Sequence, residues 1–539
     1  MREFDTRVVI IGGGATGVGI LRDLSMRGIS AILLEQSELG HGTSSRFHGL
    51  LHSGGRYVVK DEDAARECID ENEILKRIAP TCIEGTSGWF VHLQDDNPDY
   101  MKAWLTGCSR VKIPVKEIDV AEALRLEPML SRHVEKVYEV PDASIDGFKL
   151  LWANIRSAER YNGKFMTYCN VSSVRVENGC VKGVYAENVR TGEKILIHSE
   201  IVINAAGPWA GMVAASAGAQ VSIIKNKGVL LVFNKRLFQR VINRLRAPRD
   251  GDIFVPHETI TILGTTSYTV GSPDDNWIMP EEVSYLMNMG KELLDDIEHQ
   301  RVIRAFAGIR PLYEEASTVV GEGREISRDF ALVDHEKLDG ITGFISIVGG
   351  KLTTYRLMAE KVTDWVCNKL GLEVVCRTAE ESLIPPVEEK LKDKARTMFG
   401  VAMADKMMER LNDRLGEVVK QVSQDPAQGQ LICECEMITK AEIKHVVHEF
   451  NTTSLNDVRR QTRLGMGTCQ GAFCTYRAIP LLADLLEEPG KLREEITDFL
   501  DERWRGVVPI LWGEQLRESE LTRAIFNTTL GVGQREQGR

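Results

Sequence analysis

Near the start of the chain a strand over Arg7 to Ile11, apolar from Val8, leads into the run Gly12-Gly13-Gly14-Ala15-Thr16-Gly17, a helical pattern to about Gly28 and a second strand, Ala31 to Glu35, apolar up to Leu34. Strand, tight turn, helix and strand in that order predict a βαβ unit. From about Asp61 to Val171, and again from about Gly179 to Arg310, helical segments alternate with short β-rich runs such as Lys182 to Asn188 and Leu230 to Phe233. Such a mixture suits a second, β-rich lobe inserted into the first. The opening pattern returns at Ile341 to Val348, closes on Gly349-Gly350 and leads into a helix over Leu352 to Leu370. Pro385-Pro386 then breaks the pattern. Four segments are expected: residues 1–385 with both lobes, a polar helical linker over 386–428, a compact cysteine-bearing unit over 429–482, and a C-terminal extension over 483–539 that frays from Gly531.

Composition narrows the function. A chain of 539 residues exceeds what one hydrophobic core organises, and 43% apolar with 27% charged residues is the balance of a globular protein. Lys+Arg 67 against Asp+Glu 78 leaves a net charge of -11, which argues against a nucleic-acid partner. An anionic ligand must therefore be caught by a local basic cluster. The uncharged stretch Ile201 to Ile224 is long enough to span a bilayer, but Asn204, Pro208, Ser216, Gln220 and Ser222 argue against a spanning helix. Met1 leads into an apolar strand with no secretory n-region, so the thiols are expected in a reducing cytosol.

The spacing Gly12-x-Gly14-x-x-Gly17 follows a strand, opens a helix and precedes an acid, Glu35, at the end of the second strand. That context makes it a dinucleotide fingerprint: Gly12 for the turn, Gly14 for backbone approach to a pyrophosphate, Gly17 for close packing, Glu35 for a ribose hydroxyl. NAD and FAD share this turn. Two further elements, Asn204-Ala205-Ala206-Gly207-Pro208-Trp209 and Gly349-Gly350-Lys351-Leu352-Thr353-Thr354, place small residues and a helix start far along the chain and point to the longer FAD.

The loop Gly42 to Tyr57 holds His48, His52, Arg46 and Arg56 among glycines, poor core material but suited to holding anions or moving protons. Gly308-Ile309-Arg310-Pro311-Leu312 places Arg310 in what reads as an apolar turn, and Lys351 follows a glycine pair. Arginine grips phosphate or carboxylate with a planar fork and lysine as a point charge. Arg56, Arg310 and Lys351 are the candidate cluster and His52 the candidate base, with Arg324 and Arg328 weaker candidates.

Of eleven cysteines, seven (Cys68, Cys82, Cys108, Cys169, Cys180, Cys367, Cys376) show no ligand spacing. Cys433-x-Cys435 and Cys469-x4-Cys474 do, with Gly465, Gly467 and Gly471 around the second pair. Four thiolates suit a [2Fe–2S] cluster or structural zinc, and the tight C-x-C spacing tilts the reading to iron–sulfur.

The opening fingerprint, His52-x-Gly54-x-Arg56-Tyr57, Gly308 to Leu312 and Gly349 to Arg356 resemble FAD-dependent glycerol-3-phosphate dehydrogenases of the D-amino-acid-oxidase-like fold. Cys433-Glu434-Cys435-Glu436, Gly465 to Gly471 and Glu502-Arg503-Trp504-Arg505-Gly506 resemble the A subunit of the anaerobic enzyme, with a bacterioferritin-associated-ferredoxin-like [2Fe–2S] domain. The resemblance implies an α/β fold with a Rossmann-like FAD domain, and FAD contacts that also include Ser44, Ser45, Gly49, Leu50, Val171, Ala206, Gly207, Gly349, Gly350, Leu352 and Thr353. It implies oxidation of glycerol 3-phosphate to dihydroxyacetone phosphate, with electrons passing through the cluster to subunits B and C and on to quinone. FMN is implied for a partner subunit, and a cytoplasmic chain peripheral on the inner face of the membrane. A 2-hydroxy-acid or amine dehydrogenase or oxidase on the same fold, or a non-catalytic electron-transfer subunit, is the alternative.

Overall fold

Alternation along the first strand decides the layering. In Val8–Ile11, Val8 and Ile10 pack with Val18, Leu21 and Leu24 of the following helix, whereas Val9 and Ile11 pack with Val174, Val184 and Ile197 on the opposite side. A strand covered on both faces is apolar at every position. The computed structural model describes residues 1–313, 329–450, 452–487, 490, 492–511, 513–529 and 531; Arg324, Arg328 and the tail beyond Gly531 lie outside them. The central sheet runs in the order Lys164–Met166, Ala31–Leu34, Val8–Ile11, Ile201–Asn204, Phe344–Gly349, Phe330–Asp334. Its first five strands are parallel and the last is antiparallel. Helices Ala15–Met26, Gly147–Glu159 and Tyr355–Leu370 share the core on one face. A four-stranded sheet, Arg2–Asp5, Lys194–His198, Cys180–Asn188 and Cys169–Glu177, closes the other. The stretch Ile201 to Ile224 is a strand, a turn and the helix Ala210–Ser216 before the next strand begins. Among the described residues no helix is long and apolar enough to cross a membrane.

The inserted lobe is a nine-stranded sheet. Its long strands Ile223–Phe233 and Val302–Tyr313 pair antiparallel, with Arg310 opposite Asn226. The turn expected around Arg310 is therefore strand. Pro311 suggests a turn, but among the described residues Val302–Tyr313 pairs on one side only, and an edge strand tolerates a proline.

The segment expected as a linker is helical but packed. Helices Glu389–Phe399, Val401–Leu411 and Leu415–Gln424 bury Ala395, Ala404, Met407, Leu411, Leu415, Val418 and Val419 together with Ala441 of the cysteine-bearing unit. Frequent charges on the outer faces mask this apolar row. The cysteine-bearing unit is a short hairpin, Leu431–Cys433 with Ile438–Thr439, and helices Lys440–Phe450, Leu455–Thr462 and Cys474–Leu486, whose core is completed by Phe499 of the helix Leu492–Val507. Arg463 ties it to the first lobe, donating to Asp146 Oδ2 at 2.6 Å and to Glu436 Oε2 at 3.0 Å.

Because Leu415 is fully buried in the packed helices, Leu415→Ala should destabilise that unit by about 2–5 kcal/mol. Hydrogen exchange of the Leu415–Gln424 amides should accelerate accordingly. Unchanged exchange would mean that the segment is a linker after all.

Candidate active site

The glycine turn is built by exclusion. Gly12 has φ +113, and a Cβ there would lie 2.6 Å from the Ala205 oxygen; a Cβ on Gly17 would lie 1.9 Å from the Gly12 oxygen. Only glycine lets the turn, the neighbouring strand end and the helix meet. The helix Ala15–Met26 has no side-chain cap of its own, and Ser44 Oγ accepts from the Ala15 N–H at 2.9 Å instead. Glu35 accepts from the Gly13 N–H at 2.7 Å and the Ser37 N–H at 2.9 Å, while burial raises its carboxyl above the ordinary range. Asn204 fixes the second strand end: its Nδ2 donates to the Ala210 oxygen and Ser346 Oγ, and its Oδ1 accepts from the Ala206 N–H.

A cavity of about 530 Å³ runs from this turn into the inserted lobe. Its wall includes Gly12, Gly14, Glu35, Val171, Ala206 and Gly207 from the turn and the neighbouring strand ends, Ser44, Leu50, Leu352 and Thr353, and the basic group His52, Arg56, Arg310 and Lys351 with Gly349 and Gly350. Three sequence candidates stand behind the wall. Gly17 packs on the turn, Ser45 Oγ donates to the Gly40 oxygen, and Gly49 (φ +76) leaves room for the His257 imidazole.

At the basic end Lys351 Nζ is buried without a hydrogen-bond partner among the described residues, 5.1 Å from the Tyr57 ring centroid. Arg56 pairs with Asp252 at 3.2 Å. Arg310 donates to Asn226 Oδ1, Thr265 Oγ1 and the Thr266 oxygen, which hold its fork in place. The His52 ring lies 5.8 Å from that of His48 and 5.6 Å from that of Tyr57. Its backbone is pinned on both sides, the N–H donating to Thr353 Oγ1 at 3.2 Å and the oxygen accepting from Asn72 Nδ2 at 3.1 Å. Burial, then His52 and Arg310, hold His48 neutral far below the usual imidazole range. His41 also lines the cavity, pushed down to about 4 by burial and by Arg46 and Arg460. Sequence reasoning missed His41, Asn226 and Thr265; they carry no local signature, and only the tertiary register of Ile223–Phe233 brings the last two to Arg310.

In the cysteine-bearing unit the thiols approach as two pairs, Cys433 with Cys474 and Cys435 with Cys469, and no single set of three candidate metal ligands converges among the described residues. A hydrogen bond from Cys474 pulls the Cys433 thiol down to about 6 and pushes its partner up. Backbone N–H groups of Gly465 and Glu436 donate to the Cys433 sulfur, and those of Gly471 and Phe473 to Cys469. A Cβ on Gly467 would lie 2.6 Å from Cys435 Cβ.

Comparison with known proteins decides the family. Residues 7–356 match the FAD dependent oxidoreductase family and residues 431–484 the BFD-like [2Fe-2S] binding domain. The chain is 41% identical over 530 residues to the A subunit of anaerobic glycerol-3-phosphate dehydrogenase from Escherichia coli, covering 97% of both chains. It is 41% identical over 535 residues to the A1 subunit of the Haloferax volcanii enzyme, covering 97% of this chain and 90% of that protein. The chain belongs to the A-subunit family of anaerobic glycerol-3-phosphate dehydrogenases. Its fold matches the glycerol-3-phosphate dehydrogenase from Bacillus halodurans complexed with FAD, with TM-score 0.73 at 21% identity over 94% of this chain and 96% of that one.

This family member is an FAD-dependent oxidoreductase with a [2Fe–2S] domain. Its residues fit both groups. The Gly12 turn is a cradle that any Cβ would fill, and the paired thiols ringed by N–H donors are a thiolate donor set suited to iron and sulfide. Gly12→Ala should therefore cut FAD content severalfold while iron content is kept, read from the visible spectrum and metal analysis. Full FAD in that variant would place the dinucleotide elsewhere.

Proposed function

We propose that the chain oxidises sn-glycerol 3-phosphate at carbon 2 to dihydroxyacetone phosphate, working with subunits B and C, the former carrying FMN, to pass electrons to quinone at the inner face of the cytoplasmic membrane. The names of the relatives support the substrate and, since each is named as one lettered part of an enzyme, the existence of partners. In this reading membrane attachment runs through those partners.

The observation that carries the reading is the buried nitrogen of Lys351, without a hydrogen-bond partner among the described residues, on the wall of the same cavity as Arg56 and Arg310. An ammonium in that state needs an anion. A phosphate ester with nearly two negative charges supplies one, and charge-assisted hydrogen bonds to Lys351, Arg310 and Arg56 would orient the glycerol carbons. His52, pinned by Thr353 and Asn72, would take the proton of the carbon 2 hydroxyl. His48, neutral and accepting from the Leu50 N–H at Nδ1, packs behind it as an uncharged neighbour. When bound, FAD supplies the hydride acceptor, and a [2Fe–2S] cluster, held by Cys433, Cys435, Cys469 and Cys474, supplies one-electron transfer.

Anaerobic addition of glycerol 3-phosphate to the holo-protein should bleach the flavin, whereas glycerol, lactate and glycine should not. Bleaching by lactate or glycine would favour a carboxylate substrate, and no bleaching by any of them at full FAD content would leave a chain that only transfers electrons. Anaerobically purified protein should also contain about two iron and two acid-labile sulfide per chain. Zinc in their place would overturn the cluster.

A further inference from the structure

The helix Leu492–Val507 carries its contacts on one stripe. Phe499, Glu502, Arg503 and Gly506 follow the i, i+3, i+4, i+7 spacing of a single helical face. Two of them touch the cysteine loop. The Phe499 ring lies under Gly471, where a Cβ would meet its Cζ at 2.4 Å, and Arg503 Nε donates at 3.2 Å to the backbone oxygen of Gln470, between Cys469 and Cys474. The other two touch the inserted lobe. Glu502 Oε1 accepts from Arg304 Nη2 at 2.6 Å, and Gly506 lies so close that a Cβ would meet Arg304 Cγ at 2.7 Å.

Arg304 and Arg310 lie on the same strand, Val302–Tyr313, and Gly308 between them abuts the backbone oxygen of Arg46, a cavity-lining residue. Glu502 also gathers charge from both sides. Burial alone would raise its carboxyl, but Arg304, Arg459, Arg46 and Arg460 together hold it at about 2. Arg46 and Arg304 belong to the FAD-dependent oxidoreductase part; Arg459 and Arg460 lie on the helix Leu455–Thr462 of the cluster unit. Arg459 in turn sits over the Phe499 ring, 5.8 Å from its centroid.

We propose that Glu502 is a positioning residue for electron transfer, the carboxylate through which the helix Leu492–Val507 clamps the Cys469–Cys474 loop against the wall of the flavin cavity. This rests on the proposed function. It goes beyond that function by assigning the helix Leu492–Val507 a role in the step after substrate oxidation. One hydride carries two electrons from the substrate while the hydroxyl proton goes to the base. The cluster takes one of these electrons, and with no external acceptor in the mixture the second stays on the flavin. A clamp that loosens leaves the first half of this sequence intact and slows the second, because transfer between centres depends on their separation.

The test is rapid mixing of the full-length holo-protein with glycerol 3-phosphate, following flavin bleaching by absorbance and cluster reduction by electron paramagnetic resonance of quenched samples. In Glu502→Gln, flavin bleaching should stay within about twofold of the parent and cluster reduction should lag by tenfold or more. Arg304→Gln removes the same pair from its other end and should give the same split if Glu502→Gln does not retain its cofactors. Cluster reduction at the parental rate, or flavin and cluster reduction falling in parallel, would overturn the proposal. Photoreduction of the flavin with a sacrificial donor reads the second step without substrate. A parent that responds to light but not to glycerol 3-phosphate therefore refutes the substrate and leaves the clamp to be judged on its own.

Discussion

A lysine ammonium whose nitrogen is shut away from water without a hydrogen-bond acceptor among the described residues is the most demanding feature of this structure. Desolvating such a charge costs several kcal/mol unless something offsets it. Here the Tyr57 ring, 5.1 Å from the nitrogen, recovers about 1–2 kcal/mol, and the Glu67 carboxylate attracts the charge without a hydrogen bond to it. The chain reaches this position through Gly349 and Gly350, both at positive φ, and a Cβ on Gly350 would strike the Met358 sulfur at 2.4 Å. Backbone geometry thus forces Lys351 into the cavity. In a protein of net charge -11, anion binding depends on such local placement and not on a general field.

The two ends of the cavity hold charge by different means. At the glycine turn the positive potential comes from backbone N–H groups at a helix start, trimmed by Ser44 and Glu35. At the other end it comes from side chains, and each is controlled: Asp252 restrains Arg56, while Asn226 and Thr265 orient Arg310. The cysteine-bearing unit repeats the first device, aiming backbone N–H groups at sulfurs. Ion pairs then join the parts: Arg463 with Asp146, Arg460 with Glu38, and Glu502 with Arg304. Half-buried between units, these pairs fix orientation more than they add stability.

What the sequence reveals of this arrangement follows how local each signal is. The turn at Gly12 to Gly17 and the acid at Glu35 are read from spacing because the strand, turn and helix are contiguous. The cysteine pairs are legible for the same reason. Arg310 reads as a turn residue because Pro311 is a strong local signal, whereas the edge position that tolerates a proline is a property of the sheet. The packed helices over 389–424 read as a linker because their outer charges outnumber a narrow apolar row. Asn226 and Thr265 are invisible in the sequence: their partnership with Arg310 exists only once the strands find their register.

The direct test of the central claim is the concentration of glycerol 3-phosphate that half-bleaches the flavin in Lys351→Met. Loss of a charge-assisted contact worth about 1.5–3 kcal/mol predicts a rise of roughly tenfold to a hundredfold, at unchanged FAD content. An unchanged half-bleaching concentration in a variant with full FAD would contradict the account, because the phosphate would then be held without the buried ammonium.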